Sequence, residues 1–120
     1  IDDEPLIGTA FRRLFRDDYE LVPITSSVEA LRKIRAGEEF DAILCDLNME
    51  PLSGMEIHRI LREKYPAIVE RMIFIHGGVD TPDAMAFVRS VPDAFLQKPC
   101  TKEEIERALV QAIAASRSQG

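Results

Sequence analysis

Asp2 and Asp3 at the head of the chain, Asp46 after one apolar run and Lys98 after another are the residues whose types can act together. Each follows a stretch with buried-strand character: Ile1 before the acid pair, residues 41–45 (DAILC) before Asp46, and residues 94–97 (AFLQ) before Lys98. Ligands of an open parallel sheet bind outside the carboxyl ends of its strands, so three carboxylates and one ammonium meet if these runs lie side by side. Crowded carboxylates resist ionising together, and a hard divalent cation with oxygen ligands and retained waters, as magnesium prefers, removes that conflict. The set then suits phosphoryl transfer. The cation screens the carboxylates from an incoming phosphoryl group, Asp46 accepts it as an acyl phosphate, and Lys98 holds the carboxylate or a phosphoryl oxygen. Gly77 and Gly78, after the run 72–75 (MIFI), offer backbone amides to the same group. His76 is aimed at the same edge and complicates the pattern. Singly, each piece has a plainer reading: a solvated acid pair or cap, a turn-forming aspartate, an exposed lysine. Their order on matching strand ends carries the inference.

The elements that must position these residues alternate along the whole chain. Pro5 suits a first helical turn, after which Ile7, Ala10, Phe11, Leu14 and Phe15 recur at helical spacing. Residues 19–24 read as a short strand, with Pro23 arguing for an edge position. Ser26 with Glu29 forms a capping box for a helix that turns Val28, Leu31 and Ile34 inward and stops at Gly37. A strand over 41–45 and a loop from Asp46 to Gly54 lead to a helix carrying Met55, Ile57, Ile60 and Leu61, which ends before Pro66. A strand over 72–75 and the pair Gly77–Gly78, permitting a tight backbone path, come next. Thr81 and Pro82 read as N-cap and first residue of a helix to about Val91. A strand over 94–97 precedes a second capping box, Thr101 with Glu104. That box opens a helix with Ile105, Ala108, Leu109, Ala112 and Ile113 on one face. The polar tail 116–120 is expected to fray.

This alternation predicts an α/β fold with a parallel sheet covered on both faces by right-handed crossovers, in a single domain over 1–120. The first strand is represented only by Ile1, so the natural chain is expected to have residues upstream. The 120 residues are enough for a real core, and 46% hydrophobic with 30% charged residues is ordinary for a globular protein. A net charge of −6 argues against direct nucleic-acid binding, and no apolar run is long enough to insert in a membrane. Cys45 and Cys100 match no metal spacing and read as reduced thiols, Cys45 buried, in a cytoplasmic protein.

Residues 1–5 (IDDEP), 43–49 (ILCDLNM) with Ser53 and Gly54, 74–78 (FIHGG) and 95–99 (FLQKP) together resemble a response-regulator receiver domain over essentially the whole chain. The resemblance implies a flavodoxin-like, doubly wound sheet of five parallel strands in order 2-1-3-4-5, with five helices and a first strand truncated here. It implies phosphotransfer to Asp46 from a histidine kinase or histidine phosphotransfer protein. Asp3 and Asp46 would bind Mg2+ through their side chains and Asn48 through its carbonyl, with Asp2 acting largely through water. Lys98 would pair with the phosphoryl group, before a cis bond to Pro99, and Phe95 matches the aromatic that turns inward on activation. The 82–115 face would meet partners, as a homodimer or with an output element. No turnover of external substrates is implied, only self-phosphotransfer and autodephosphorylation. The run 77–82 (GGVDTP), with 90–92 (SVP) and Lys98–Pro99, resembles receivers at the C-terminal end of hybrid histidine kinases, which would tether the domain to a membrane kinase.

Two departures stand out. The family usually places Thr or Ser where His76 stands; imidazole can donate a hydrogen bond or pair with phosphate but is bulkier. The leading expectation is a retained phosphorylation site with atypical switching. The alternative is a phosphorylation-independent docking module, and the plainest reading is a solvent-facing imidazole that changes little. Glu50 stands where the family usually has proline, with Pro51 one residue later, so the loop path should differ locally; Glu50 is read as a solvated loop acid. His58, near Leu61 and Arg62 on its helix, is read as surface packing without a role. A remote alternative, an aspartyl-phosphate-type phosphatase, usually needs a second acid two residues after the nucleophile, where this chain has Asn48.

Overall fold

The computed structural model describes the chain apart from Asp3, Asn48, Glu50, Pro51, residues 78–80, residues 91–94, Pro99 and residues 119–120; the side chains of 115–118 also lie outside the described set. Helix α1 spans Pro5–Phe15 and α2 Ser27–Arg35. Strand β1 spans Ile43–Asp46, followed by α3, Gly54–Lys64, and the one-turn α4, Pro66–Val69. Strand β2 spans Met72–His76, α5 Pro82–Ser90, β3 Phe95–Gln97 and α6 Lys102–Ser118. The strands form a parallel sheet in the order β1-β2-β3, with Asp46 opposite Ile75 and His76 opposite Gln97.

Alternation along the strands sorts the core into two faces. Ile43 and Cys45, Met72 and Phe74 meet Leu31 and Ile34 of α2 and Ile57 and Leu61 of α3, with Phe87 and Val88 of α5 and Phe95 packed against them. The intervening Ile73 meets Phe15 of α1 and Ile105, Ala108, Leu109 and Ala112 of α6, with Leu44 and Leu96 alongside. Helices α2 to α5 therefore cover one face and α1 and α6 the other, which is the expected doubly wound arrangement.

The strand count differs from expectation: three strands and six helices are present among the described residues, the extra helix being α4. Residues 19–24 run without strand pairing. Pro23 has no N–H to donate, and among the described residues Ile1 and Asp2 lie beside this segment. Traces of the missing ladder remain. The Asp2 N–H donates to the Ile24 carbonyl at 3.1 Å, the Asp46 N–H donates to the Ile1 carbonyl at 2.9 Å, and the Ile1 nitrogen donates to the Leu44 carbonyl. Ile1 thus lies between the 19–24 segment and β1, the place the order 2-1-3 assigns to the first strand. Beside it opens a cavity of about 470 Å³, lined among others by Phe11, Tyr19, Leu44 and Leu109.

Local signals fare well. Thr81 Oγ1 accepts from Ala84 N–H at 3.1 Å, and Thr101 and Glu104 exchange both capping-box bonds, at 3.0 and 3.1 Å. Ser26 caps α2, accepting from Glu29 N–H at 3.3 Å, and Gly37, at φ +90°, terminates it. Val28 is a correction: it is 44% exposed, while Ala30, Leu31 and Ile34 turn inward. On α1, Ile7, Phe11 and Phe15 form the inward stripe, whereas Ala10 and Leu14 face out.

Candidate functional site

The carboxyl ends of the strands gather the residues the sequence singles out. Asp46 is the last residue of β1, and Lys98 follows β3 by one position. Asp2 is brought in by the bonds that hold Ile1 against β1 and Ile24. Lys98 Nζ lies 3.5 Å from the Asp46 carboxylate and 3.7 Å from that of Asp2. The two carboxylate side chains are 13% and 14% exposed and the ammonium 36%, so the triad is open to solvent through the lysine side. The backbone fixes the lysine too: its N–H donates to the His76 carbonyl at 2.8 Å.

Asp3 and Asn48 lie outside the described residues, as do Gly78, Glu50 and the Lys98–Pro99 bond. Among the described residues no group of three or more His, Cys, Asp or Glu side chains gathers around one point. What the structure does show fits a magnesium ion in kind. Asp2 and Asp46 present hard carboxylate oxygens, largely withdrawn from solvent, on the ion's expected side of the sheet. Mg2+ is held by one or two carboxylates plus waters rather than by a full protein cage.

The turn after Asp46 is tied down from several sides. Leu47 N–H donates to the Ile75 carbonyl at 3.1 Å and Gly54 N–H to the Leu47 carbonyl at 3.0 Å. Leu47 and Met49 are buried, 2% and 7% exposed. Gly54 is required by close approach: a Cβ there would meet the Asp46 carbonyl oxygen at 2.7 Å and Leu47 Cα at 3.0 Å. Ser53 and Glu56 close a capping box over the start of α3, with both bonds at 3.2 Å. Sequence reasoning missed that box, although the Ser-x-x-Glu spacing marks it.

His76 ends β2 and is only 4% exposed; the solvent-facing reading is therefore wrong. By alternation it follows Met72 and Phe74 toward α3 and α5, whereas Asp46 shares the parity of Leu44, toward α1 and α6. Phe95 pairs in register with Phe74, half-buried on the same face as His76. Gly77 is exposed, with open space around its Cα.

His58 is more than surface packing. Its ring meets Phe74 edge-on at 5.7 Å and Phe87 at 5.0 Å, and those two phenylalanines meet at 4.9 Å. The triangle joins α3, β2 and α5. Loss of hydration, and secondarily the nearby Arg62, hold the His58 pKa below the usual imidazole value. The signal was in the sequence as aromatics, but only the crossover brings the three rings together. Cys45, fully buried beside Asp46, has its thiol pushed up to about 12 by burial. It is protonated at neutral pH and is no rival nucleophile. Cys100 is also free, its pKa raised by burial and by Glu104. No helix of the described residues is long and apolar enough to cross a membrane.

A family model described as the response regulator receiver domain matches residues 1–110. The chain is 29% identical over 117 residues to the transcriptional regulatory protein GlrR of Escherichia coli (strain K12), covering 97% of this chain and 26% of that protein. It is 31% identical over 121 residues to the hydrogenase transcriptional regulatory protein HoxA of Cupriavidus necator, covering 100% of this chain and 24% of that protein. The chain thus spans about a quarter of the length of these curated relatives. A solved receiver-domain protein from Clostridium thermocellum superposes with a TM-score of 0.81 at 26% identity, covering 99% of this chain and 94% of the other. A CheY-like receiver domain from Methanospirillum hungatei JF-1 gives a TM-score of 0.82 at 20% identity with the same coverage, a likeness of fold.

Proposed function

The chain belongs to the response-regulator receiver family, and from that premise we propose that Asp46 accepts a phosphoryl group from a phosphohistidine donor. The donor is a histidine kinase or a histidine phosphotransfer protein, and the cofactor is Mg2+. The observation that carries this reading is Lys98 Nζ between two largely buried carboxylates, 3.5 Å from Asp46 and 3.7 Å from Asp2, at the carboxyl edge of a parallel sheet.

In the transfer, an Asp46 carboxylate oxygen bonds to phosphorus as the phosphorus–nitrogen bond of the donor breaks. The electron pair of that bond returns to the donor imidazole, which recovers a proton from water. Lys98 neutralises charge arriving on the phosphoryl oxygens and holds the acyl phosphate afterwards. By the family resemblance the Gly77 and Gly78 N–H groups would donate to the same oxygens. Asp2 and Asp46, with Asp3 and the Asn48 carbonyl by resemblance, would hold the magnesium ion, which screens the carboxylates and stabilises the charge in transfer.

The response to phosphorylation differs from the family's usual switch. His76 is 4% exposed on the sheet face that also carries Phe95. The imidazole occupies volume that a small hydroxyl would leave for the aromatic ring. The exposed Met85 and Val110, 45% and 60%, support the 82–115 face as the contact for a second copy or an output partner.

Incubation with acetyl phosphate and Mg2+, followed by intact-mass measurement, tests the reading. The wild type is expected to gain one phosphoryl group and Asp46→Asn none. Equal labelling of Asp46→Asn sinks the acceptor assignment. If the wild type takes no label while His76→Thr does, the docking-module reading replaces it.

A further inference from the structure

We propose that Ser27 is a positioning residue for the Asp46 site, its buried hydroxyl fixing the turn whose path sets how firmly the site holds its cation. The proposal rests on the magnesium-dependent acceptor reading given above. Among the described residues the buried polar side chains are Ser27, at 0% exposure, and His76. A hydroxyl withdrawn from water is costly without a partner, and helix α2 does not need this one, because Ser26 already supplies the cap. Ser27 Oγ instead accepts from the N–H of Leu52, 25 residues along the chain, at 3.1 Å.

Leu52 belongs to the turn that leaves Asp46 and enters α3. That turn is held to β2 by the Leu47 N–H bond to Ile75, and to itself by the Gly54 N–H bond to Leu47. The Ser27 bond ties Leu52 to α2, so among the described residues of the turn Leu47 is held to β2 and Leu52 to α2. The turn is also the main chain nearest the Asp46 carboxylate in sequence. Magnesium demands near-ideal octahedral geometry, so displacements too small to unfold the protein are enough to weaken its binding. An outer partner that never touches the cation acts in this way.

The test uses the full chain as wild type, Ser27→Cys, which keeps the volume with a poorer acceptor, and Ser27→Ala, which removes it. Mg2+ affinity is measured directly by titration calorimetry, and exchange of the Leu52 amide by mass spectrometry. Ser27→Ala is expected to weaken Mg2+ binding about tenfold, the low end for loss of an outer partner, with Ser27→Cys between it and the wild type. The Leu52 amide should lose protection in the same order, while acetyl-phosphate labelling at saturating Mg2+ stays near the wild-type level. Equal Mg2+ affinity in all three proteins overturns the proposal, as does unchanged Leu52 protection in Ser27→Cys. Graded Mg2+ affinity with no labelling of any protein instead removes the phosphoacceptor reading and leaves the positioning role standing.

Discussion

The two faces of the sheet are built to different standards. On the α2–α3–α5 face, ten buried residues from Leu31 to Phe74 form one cluster, which the turn after Asp46 joins through Leu47 and Met49. On the α1–α6 face the cluster among the described residues has six, two of them the small Ala108 and Ala112, and the cavity beside Ile1 lies at the sheet edge between the faces, lined by Phe15 and Leu109 from one and by Ile34 and Cys45 from the other. The site straddles this difference. The turn after Asp46 and His76 belong to the dense face, whereas the Asp46 side chain has the parity of the looser one, and Asp2 joins it through a backbone bond to Ile24 and an ion pair with Lys98. Stability and readout are therefore expected to reside on one face, and part of the cation site on the other.

Truncations in the two cores sharpen or break that contrast. Phe74→Ala is expected to cost about 4 kcal/mol of unfolding free energy, since the ring is fully enclosed by Phe87, His58 and the core. Leu109→Ala, bordering the cavity, should cost nearer about 2 kcal/mol. Urea titration of both decides, and equal losses would erase the distinction between the faces.

Gly54→Ala tests how tightly the dense face holds the site. The added Cβ meets backbone atoms of Asp46 and Leu47 that cannot swing away. A loss of about 2 kcal/mol is expected, together with slower acetyl-phosphate labelling of Asp46. Normal labelling would show that the turn tolerates displacement. On the other face, Thr101→Ala removes one half of the α6 capping box and should cost about 1 kcal/mol, with labelling unchanged.

The smallest effect is a pH dependence confined to the dense face. Because the folded His58 pKa lies below its unfolded value, the unfolded chain binds the proton first. Stability is then fully present above the ordinary imidazole value of about 6.5 and declines as pH falls from there toward the lowered folded pKa. Thermal unfolding across that window should show the slope in the wild type and a shallower one in His58→Phe. An unchanged slope would assign the proton to another group.

Most of what carries chemistry was legible along the chain, because it is local. Thr81, Thr101 and Gly37 act within one helical turn, so their types and spacing suffice. The run at 72–76 is buried at every position, and the continuous apolarity of 72–75 marks it as the central strand of the described sheet. The pattern failed where a neighbour decides. Residues 19–24 have strand-like composition but form no strand ladder among the described residues, and Val28 has the right spacing on α2 but faces out, 44% exposed.

Residue order and apolar spacing set the succession of elements and the side chain that ends each strand, and so put Asp2, Asp46, His76 and Lys98 at one edge. How those residues divide came from packing. Strand alternation and crossover set Asp46 on one parity and His76 on the other, and buried the imidazole. The bond from Ser27 to Leu52 was equally hidden, since a hydroxyl's partner 25 residues away leaves no local periodicity to read. Short-range capping and burial patterns are written in spacing; long-range hydrogen bonds exist only once the faces have closed.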